Sequence, residues 1–294
     1  MVCAMGIFIY QTLDALDGKQ ARRTSSCNSL GELFDHGCDA FSTVVISVAL
    51  VCSLLIGNFP VLLFLTCFTG MVTYYCAHWN AYITGTLPVN AFDVTESQVT
   101  IMLIHVVSAI LGPHIWLTKI PKIDIEFNII ACVLVEMALL FVTLKALLVI
   151  QQGGQGKNGS TIANTSVLSP ALPMFFLLFV ACTLFLHSPT NLFHNHPCLF
   201  VLTFGMSASK ITVNLVIAHV SKSPMVLIDS ALLGPFILLI NLYFRTIIND
   251  FHLMLATFAF STFDVLYSVK STCNQVCTYM KISCFTISPK SAPQ

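Results

Sequence analysis

Long apolar runs separated by short polar punctuation organise the chain. A bilayer core about 30 Å thick requires about 20 apolar residues in a helix. Runs of that order predict eight full spans, at 39–56, 60–83, 99–117, 127–150, 171–186, 198–220, 226–247 and 253–269, and a partial span at 1–13. None alternates with the period of two that barrel strands show, so the pattern predicts an all-α, polytopic transmembrane helical bundle. Two connections are long. Residues 85–98 contain Asp93 and Glu96, and residues 151–170 are rich in Gly, Ser, Asn and Thr, as a solvated loop should be. No internal repeat supports an inverted-repeat transporter. The expected division is a membrane domain at 1–272 and a cytosolic tail at 273–294.

Composition agrees with a lipid-facing chain. Of 294 residues, 56% are hydrophobic and 9% charged, against about 25% charged in soluble domains, and the mean hydropathy is +0.85. The formal net charge of zero argues against a nucleic-acid partner, which would call for a basic patch. The first ten residues lack the positive region and cleavage site of a signal peptide. The chain starts inside an apolar stretch, which suggests an upstream part. Of twelve cysteines, Cys52, Cys67, Cys76, Cys132 and Cys182 lie in apolar runs, and no Cys-x-x-Cys pair occurs, so neither a disulfide framework nor a zinc site is read. Placing Lys19, Arg22 and Arg23 in the cytosol puts Lys145, Lys157, Lys222, Lys270, Lys281 and Lys290 there too, against Lys119, Lys122 and Arg245 opposite, with Lys210 inside a span. The sequon at Asn158 then faces the cytosol, where it escapes glycosylation.

Residues 14–39, DALDGKQARRTSSCNSLGELFDHGCD, interrupt this apolar landscape at the membrane surface. They hold five of the thirteen acidic residues: Asp14, Asp17, Glu32, Asp35 and Asp39. On helices, Asp14 and Asp17 share a face, as do Glu32, Asp35, His36 and Asp39. Four adjacent aspartates near lipid require a counter-charge, and carboxylate oxygen suits Mg²⁺ or Mn²⁺, with remaining coordination positions left to water or phosphate. Arg22 and Lys19 add positive charge for a diphosphate, and Gly18 and Gly31 permit close backbone approach. Charges at a span boundary are often only a solvated interface; eight positions in fixed order argue for more.

Those positions are Asp14, Asp17, Gly18, Ala21, Arg22, Gly31, Asp35 and Asp39, at the spacing D-x2-D-G-x2-A-R-x8-G-x3-D-x3-D. They resemble the signature of the CDP-alcohol phosphotransferase family. The surrounding GKQARRT, LGELFDHGCD, YCAHWNAY and GKNGSTIANTSVLSP segments look like eukaryotic choline/ethanolamine phosphotransferases, over residues 6–269. The resemblance implies two divalent ions held by Asp14, Asp17, Asp35 and Asp39, and nucleotide or phosphate contacts from Arg22 and Glu32, with Gly18 and Lys19 beside them. It also implies attack by diacylglycerol on CDP-choline or CDP-ethanolamine with release of CMP, in an endoplasmic reticulum or Golgi membrane, with the site facing the cytosol and a homodimer among the partners.

For the base, a carboxylate already bound to a cation is a poor proton acceptor, whereas imidazole, with an ordinary pKa of about 6.5, matches the task. His36 is therefore expected to be catalytic; its bland alternative is to orient a carboxylate. Tyr74, Tyr75, His78, Trp79 and Tyr82 have two readings, a cage for a quaternary ammonium and an interfacial aromatic belt. Glu136, Lys210 and Asp229 are expected to pair with one another or to face water inside the bundle. Competing functions are a superfamily enzyme making another headgroup, which the GKQARRT and FDHGCD contexts oppose, and a catalytically silent homologue that binds lipid or regulates a full-length enzyme.

Overall fold

Proline and asparagine place the helix starts. Pro60 and Pro197 stand at the first turn of α3 (Pro60–Thr84) and α8 (Pro197–Ser221), where a missing N–H costs nothing. Asn28 opens α2 (Ser29–Ser53) by accepting the Gly31 N–H at 2.9 Å, and Asn249 caps α10 (Asp250–Met280) in the same way. The computed structural model describes residues 1–87, 94–244 and 248–286. Asp93, Arg245, Lys290 and the side chain of Glu96 lie outside the described residues. The remaining helices are α1 (Val2–Thr24), α4 (Val94–Leu111), α5 (Phe127–Gln151), α6 (Ala171–His187), α7 (Leu192–Asn195) and α9 (Leu233–Tyr243). The described residues contain no strand beyond an isolated bridge between Lys119 and Glu126.

The chain is a polytopic helical bundle. Helices α2, α3, α5, α8 and α10 are long and apolar enough to cross a membrane, and three shorter apolar helices, Ser97–Leu111, Ala171–His187 and Ser230–Tyr243, accompany them. The expected spans change at several boundaries. The run 99–117 breaks at Gly112, whose φ of 80° leads into a 3₁₀ turn over Pro113–Leu117. The run 226–247 is helical only from Ser230, where a 3₁₀ turn precedes α9. α1 passes through residue 13 without interruption, because its polar second half continues the helical period of the first. α2 starts ten residues before residue 39, and α10 runs across residue 272 to Met280.

Side chains sort as lipid requires. α5 turns Leu134, Met137, Leu140, Phe141, Leu144 and Leu148 outward, and buries Asn128, Cys132, Glu136, Thr143 and Ala146. Polar and small residues thus join helices while large apolar ones face the acyl chains; Thr73 of α3 and Thr143 of α5 meet at 2.8 Å. α8 is the most enclosed helix and packs against α2, α3 and α10. Its approach to α2 depends on Gly205, where an added Cβ would overlap the Val44 side chain. Gly205→Ala is therefore expected to destabilise the bundle by about 1–3 kcal/mol, read as a lower unfolding midpoint in detergent. Adding Val44→Ala should restore most of it.

The C-terminal ends of α3, α5 and α8 meet at the end of the bundle where α2 begins. The connection after α5 is pinned there rather than freely solvated. Gln155 N–H donates to Ile83 O at 3.1 Å and Ile162 N–H to Tyr82 O at 3.3 Å. Trp79 Nε1 donates to Val167 O at 2.8 Å, Tyr75 OH to Pro170 O at 2.6 Å and Tyr82 OH to Ser223 O at 3.0 Å. These three rings are at most 7% exposed, so they form neither an ammonium cage nor a belt; they anchor connecting segments. Lys210 Nζ contacts Asp229 Oδ1 at 2.8 Å, as expected, and also Asp264 Oδ2 at 2.7 Å and Ser230 Oγ at 2.5 Å. Glu136 stays apart from them, with Oε1 buried and without a hydrogen-bond partner among the described residues.

Candidate active site

Residues 14–39 fold as the facing ends of α1 and α2, joined by a short turn in which Ser25 adopts the left-handed conformation (φ 53°). With 3.6 residues per turn, Tyr10, Asp14 and Asp17 line one face of α1, and Asp35 and Asp39 one face of α2. A carboxylate oxygen from each of Asp14, Asp35 and Asp39 lies within 4.8 Å of the other two. All three residues are partly buried. The Tyr10 hydroxyl donates to Asp39 Oδ1 and so fixes that carboxylate. Asp17, one turn from Asp14, is outside this tight group and exposed, yet its charge acts on Asp35 and Asp39.

Among the described residues no lysine or arginine forms an ion pair with Asp14, Asp17, Asp35 or Asp39. Three converging carboxylates without a protein cation repel one another, and their hard oxygen donors fit a divalent cation of the Mg²⁺ or Mn²⁺ type. Such an ion would sit where Tyr10 already holds one ligand in orientation.

The other expected residues surround this group unevenly. Gly18 and Arg22 lie toward the carboxylate face of α1, with the Arg22 guanidinium 3.6 Å from the position of a Cβ on Gly18. Lys19 is about 140° around the helix from Asp14 and exposed, so the fold does not bring it to the cluster. Gly31 faces the capping side chain of Asn28. Glu32 stands one turn before Asp35 and approaches His219 of α8, Oε1 to Nε2 3.7 Å. His36 Nε2 is 3.8 Å from Asp35 Oδ2. Its ring lies 4.7 Å from that of His78, and Tyr74 OH donates to its carbonyl oxygen at 2.8 Å. His36 Nδ1 is buried with no hydrogen-bond partner among the described residues.

Two site residues, Tyr10 and His219, escaped the sequence reading. Tyr10 had a legible signal: it precedes Asp14 by four residues, on the same helical face. His219 comes from α8 and had none, and Tyr74 and His78 of α3, read in the sequence only as cage or belt, meet His36 because packing brings α3 to α2.

A sequence profile of the CDP-alcohol phosphatidyltransferase family matches residues 1–123. Cholinephosphotransferase 1 of Mus musculus is 41% identical over 294 residues, which is all of this chain and 74% of that protein. The Homo sapiens protein of that name is 40% identical over all of this chain and 72% of its own length. A Dictyostelium discoideum protein described as an uncharacterized CDP-alcohol phosphatidyltransferase class-I family protein is 30% identical, with 98% of this chain and 74% of that one covered. The matched segment contains the whole aspartate cluster, and the similarity continues through every helix that packs around it, so the chain belongs to the CDP-alcohol phosphatidyltransferase family.

Proposed function

We propose that the chain transfers phosphocholine or phosphoethanolamine from a CDP-alcohol to diacylglycerol, releasing CMP and forming phosphatidylcholine or phosphatidylethanolamine. The convergence of Asp14, Asp35 and Asp39 carries this reading. Similarity to cholinephosphotransferases along the whole chain favours choline. Asp14, Asp17, Asp35 and Asp39 would hold two Mg²⁺ or Mn²⁺ ions. When bound, these supply positive charge that neutralises the diphosphate oxygens. Arg22 adds a guanidinium for the phosphates, Gly18 leaves room beside it, and Glu32 faces the nucleotide.

His36 is the base in this reading. Its ring is held beside Asp35 and shielded by α3, and it takes the proton of the diacylglycerol hydroxyl as that oxygen attacks phosphorus. In the same reading, residues 1–272 form the membrane domain and 273–294 a cytosolic tail, the membrane is endoplasmic reticulum or Golgi, the site opens to the cytosol, and a second copy of the chain is a partner.

CMP release and phospholipid formation by the purified chain test this, with diacylglycerol, Mg²⁺ or Mn²⁺, and CDP-choline or CDP-ethanolamine. Turnover is expected, faster with CDP-choline, and His36→Ala should lower kcat by about a hundredfold or more with KM for the CDP-alcohol little changed. A folded wild-type chain that releases no CMP would sink the reading and leave a lipid-binding or regulatory homologue.

A further inference from the structure

α2 and α8 run antiparallel, and their contacts advance in register from one end of the bundle to the other. His219 Nε2 approaches Glu32 Oε1 at 3.7 Å, Ser209 donates to Ala40 O at 3.0 Å, and Gly205 lies against Val44. The next step along this ladder pairs residue 52 of α2 with residue 198 of α8, and both are cysteines. Their thiols stand close enough for one to donate to the other. Both are free and exposed. They also line one cavity of about 470 Å³, with Val48, Leu63, Leu117 and Val201 among its apolar walls.

This pair is remote from the aspartates. Cys52 lies about 20 Å along the axis of α2 from Asp39, in the last turn of that helix, and Cys198 lies in the first turn of α8. In the proposed orientation the aspartates face the cytosol, so this end of the bundle meets the endoplasmic reticulum or Golgi lumen, where thiol pairs are oxidised. A disulfide needs Cα atoms about 4.4–6.8 Å apart, which only closely packed helices offer. Gly205, without a Cβ, provides that approach about two turns from Cys198. Cys67 lines the same cavity but is 0% exposed, and Cys3 of α1 is the other exposed thiol near Cys52.

We propose that Cys52 and Cys198 form a disulfide that locks α2 to α8 at the end of the bundle away from the aspartates. The inference rests on the reading that the aspartate end faces the cytosol. One thiol loses its proton, and the thiolate attacks an external disulfide, either an oxidised dithiol protein or glutathione disulfide. The second thiolate then displaces the mixed disulfide. One S–S bond forms, two protons and two electrons leave the pair, and the oxidant departs as two thiols. The closed loop takes in α3 to α7 and so restricts the unfolded chain. It also fixes the far end of the helix that carries Asp35 and Asp39 without touching either carboxylate.

Microsomes containing the full chain, alkylated before lysis and digested without reduction, test this by mass spectrometry. A peptide pair joined through Cys52 and Cys198 is expected, and a pair joined through Cys3 and Cys52 overturns the assignment. A membrane-impermeant maleimide should label Cys52 and Cys198 only after the microsomes are opened and the chain reduced. Labelling in opened, unreduced microsomes shows free thiols and overturns the disulfide while leaving the orientation standing. A joined pair that an impermeant reductant opens in sealed microsomes supports the disulfide and refutes the orientation. Cys52→Ser and Cys198→Ser should each lower the unfolding midpoint in detergent by about 5 °C or more. The double variant should fall no further, since both changes remove one bond, and reductant should bring the wild type to the same midpoint. CMP release by all three variants should stay within about twofold of the wild type. Additive losses that reductant does not reproduce overturn the disulfide and leave two packed thiols.

Discussion

Asp39→Asn is expected to reduce turnover about a thousandfold, corresponding to about 4 kcal/mol of lost transition-state stabilisation. Asparagine keeps the shape of the side chain and an oxygen that can still accept from the Tyr10 hydroxyl, so the substitution removes charge rather than packing. The three carboxylates of Asp14, Asp35 and Asp39 stand within 4.8 Å of one another with no lysine or arginine among the described residues paired to them, and each is therefore a large share of the negative charge that would retain a divalent ion. Mn²⁺ titration followed by electron paramagnetic resonance should show weakened metal binding in the variant, while the unfolding midpoint stays near that of the wild type. Full activity in Asp39→Asn would remove this carboxylate from the metal site and refute the arrangement read from the fold.

Lys210→Met should produce the largest loss of stability, about 3–5 kcal/mol. Lys210 is 4% exposed and bonds Asp229, Ser230 and Asp264 together. Removing its charge leaves two carboxylates facing each other in an apolar surround with no cation between them. The network ties α8 to α10 and to the capped 3₁₀ turn that leads into α9. It lies on a different side of α8 from Ser209, which donates to Ala40 O on α2 at 3.0 Å. Turnover per folded molecule should therefore stay within about twofold, since distant sites act independently. Lys210→Met combined with Asp229→Asn and Asp264→Asn should recover much of the midpoint, because the uncompensated charge is gone. A single variant as stable as the wild type would show that these groups are neutral or hydrated in the folded chain.

Much of the fold was legible because lipid imposes a simple rule: a segment of sufficient apolar length must close its own backbone hydrogen bonds, and a helix does so. Five helices long enough to cross follow runs visible in the chain. The boundaries were less legible. Gly112 and the segment before Ser230 stop helices inside apolar runs, since hydropathy measures affinity for lipid and is blind to backbone conformation.

The site divides along the same line. Asp14, Asp17, Asp35 and Asp39 sit on α1 and α2 at spacings that a helix converts directly into faces, so their common chemistry is local information. That Asp14, Asp35 and Asp39 form the tight group with Asp17 at its edge depends on how α1 lies against α2 and α4. Lys210 shows the same limit: its pairing with Asp229 was expected, but Asp264 is 54 residues away in the chain and met it only when α8 packed on α10. The α5–α6 connection has the composition of a solvated loop, yet Tyr75, Trp79 and Tyr82 hold it from α3. Helical period and hydropathy act within a turn or a span, and they fix which residues share a face. Contacts across helices arise from the shapes of whole surfaces, such as Gly205 against Val44, and no local spacing encodes which faces meet.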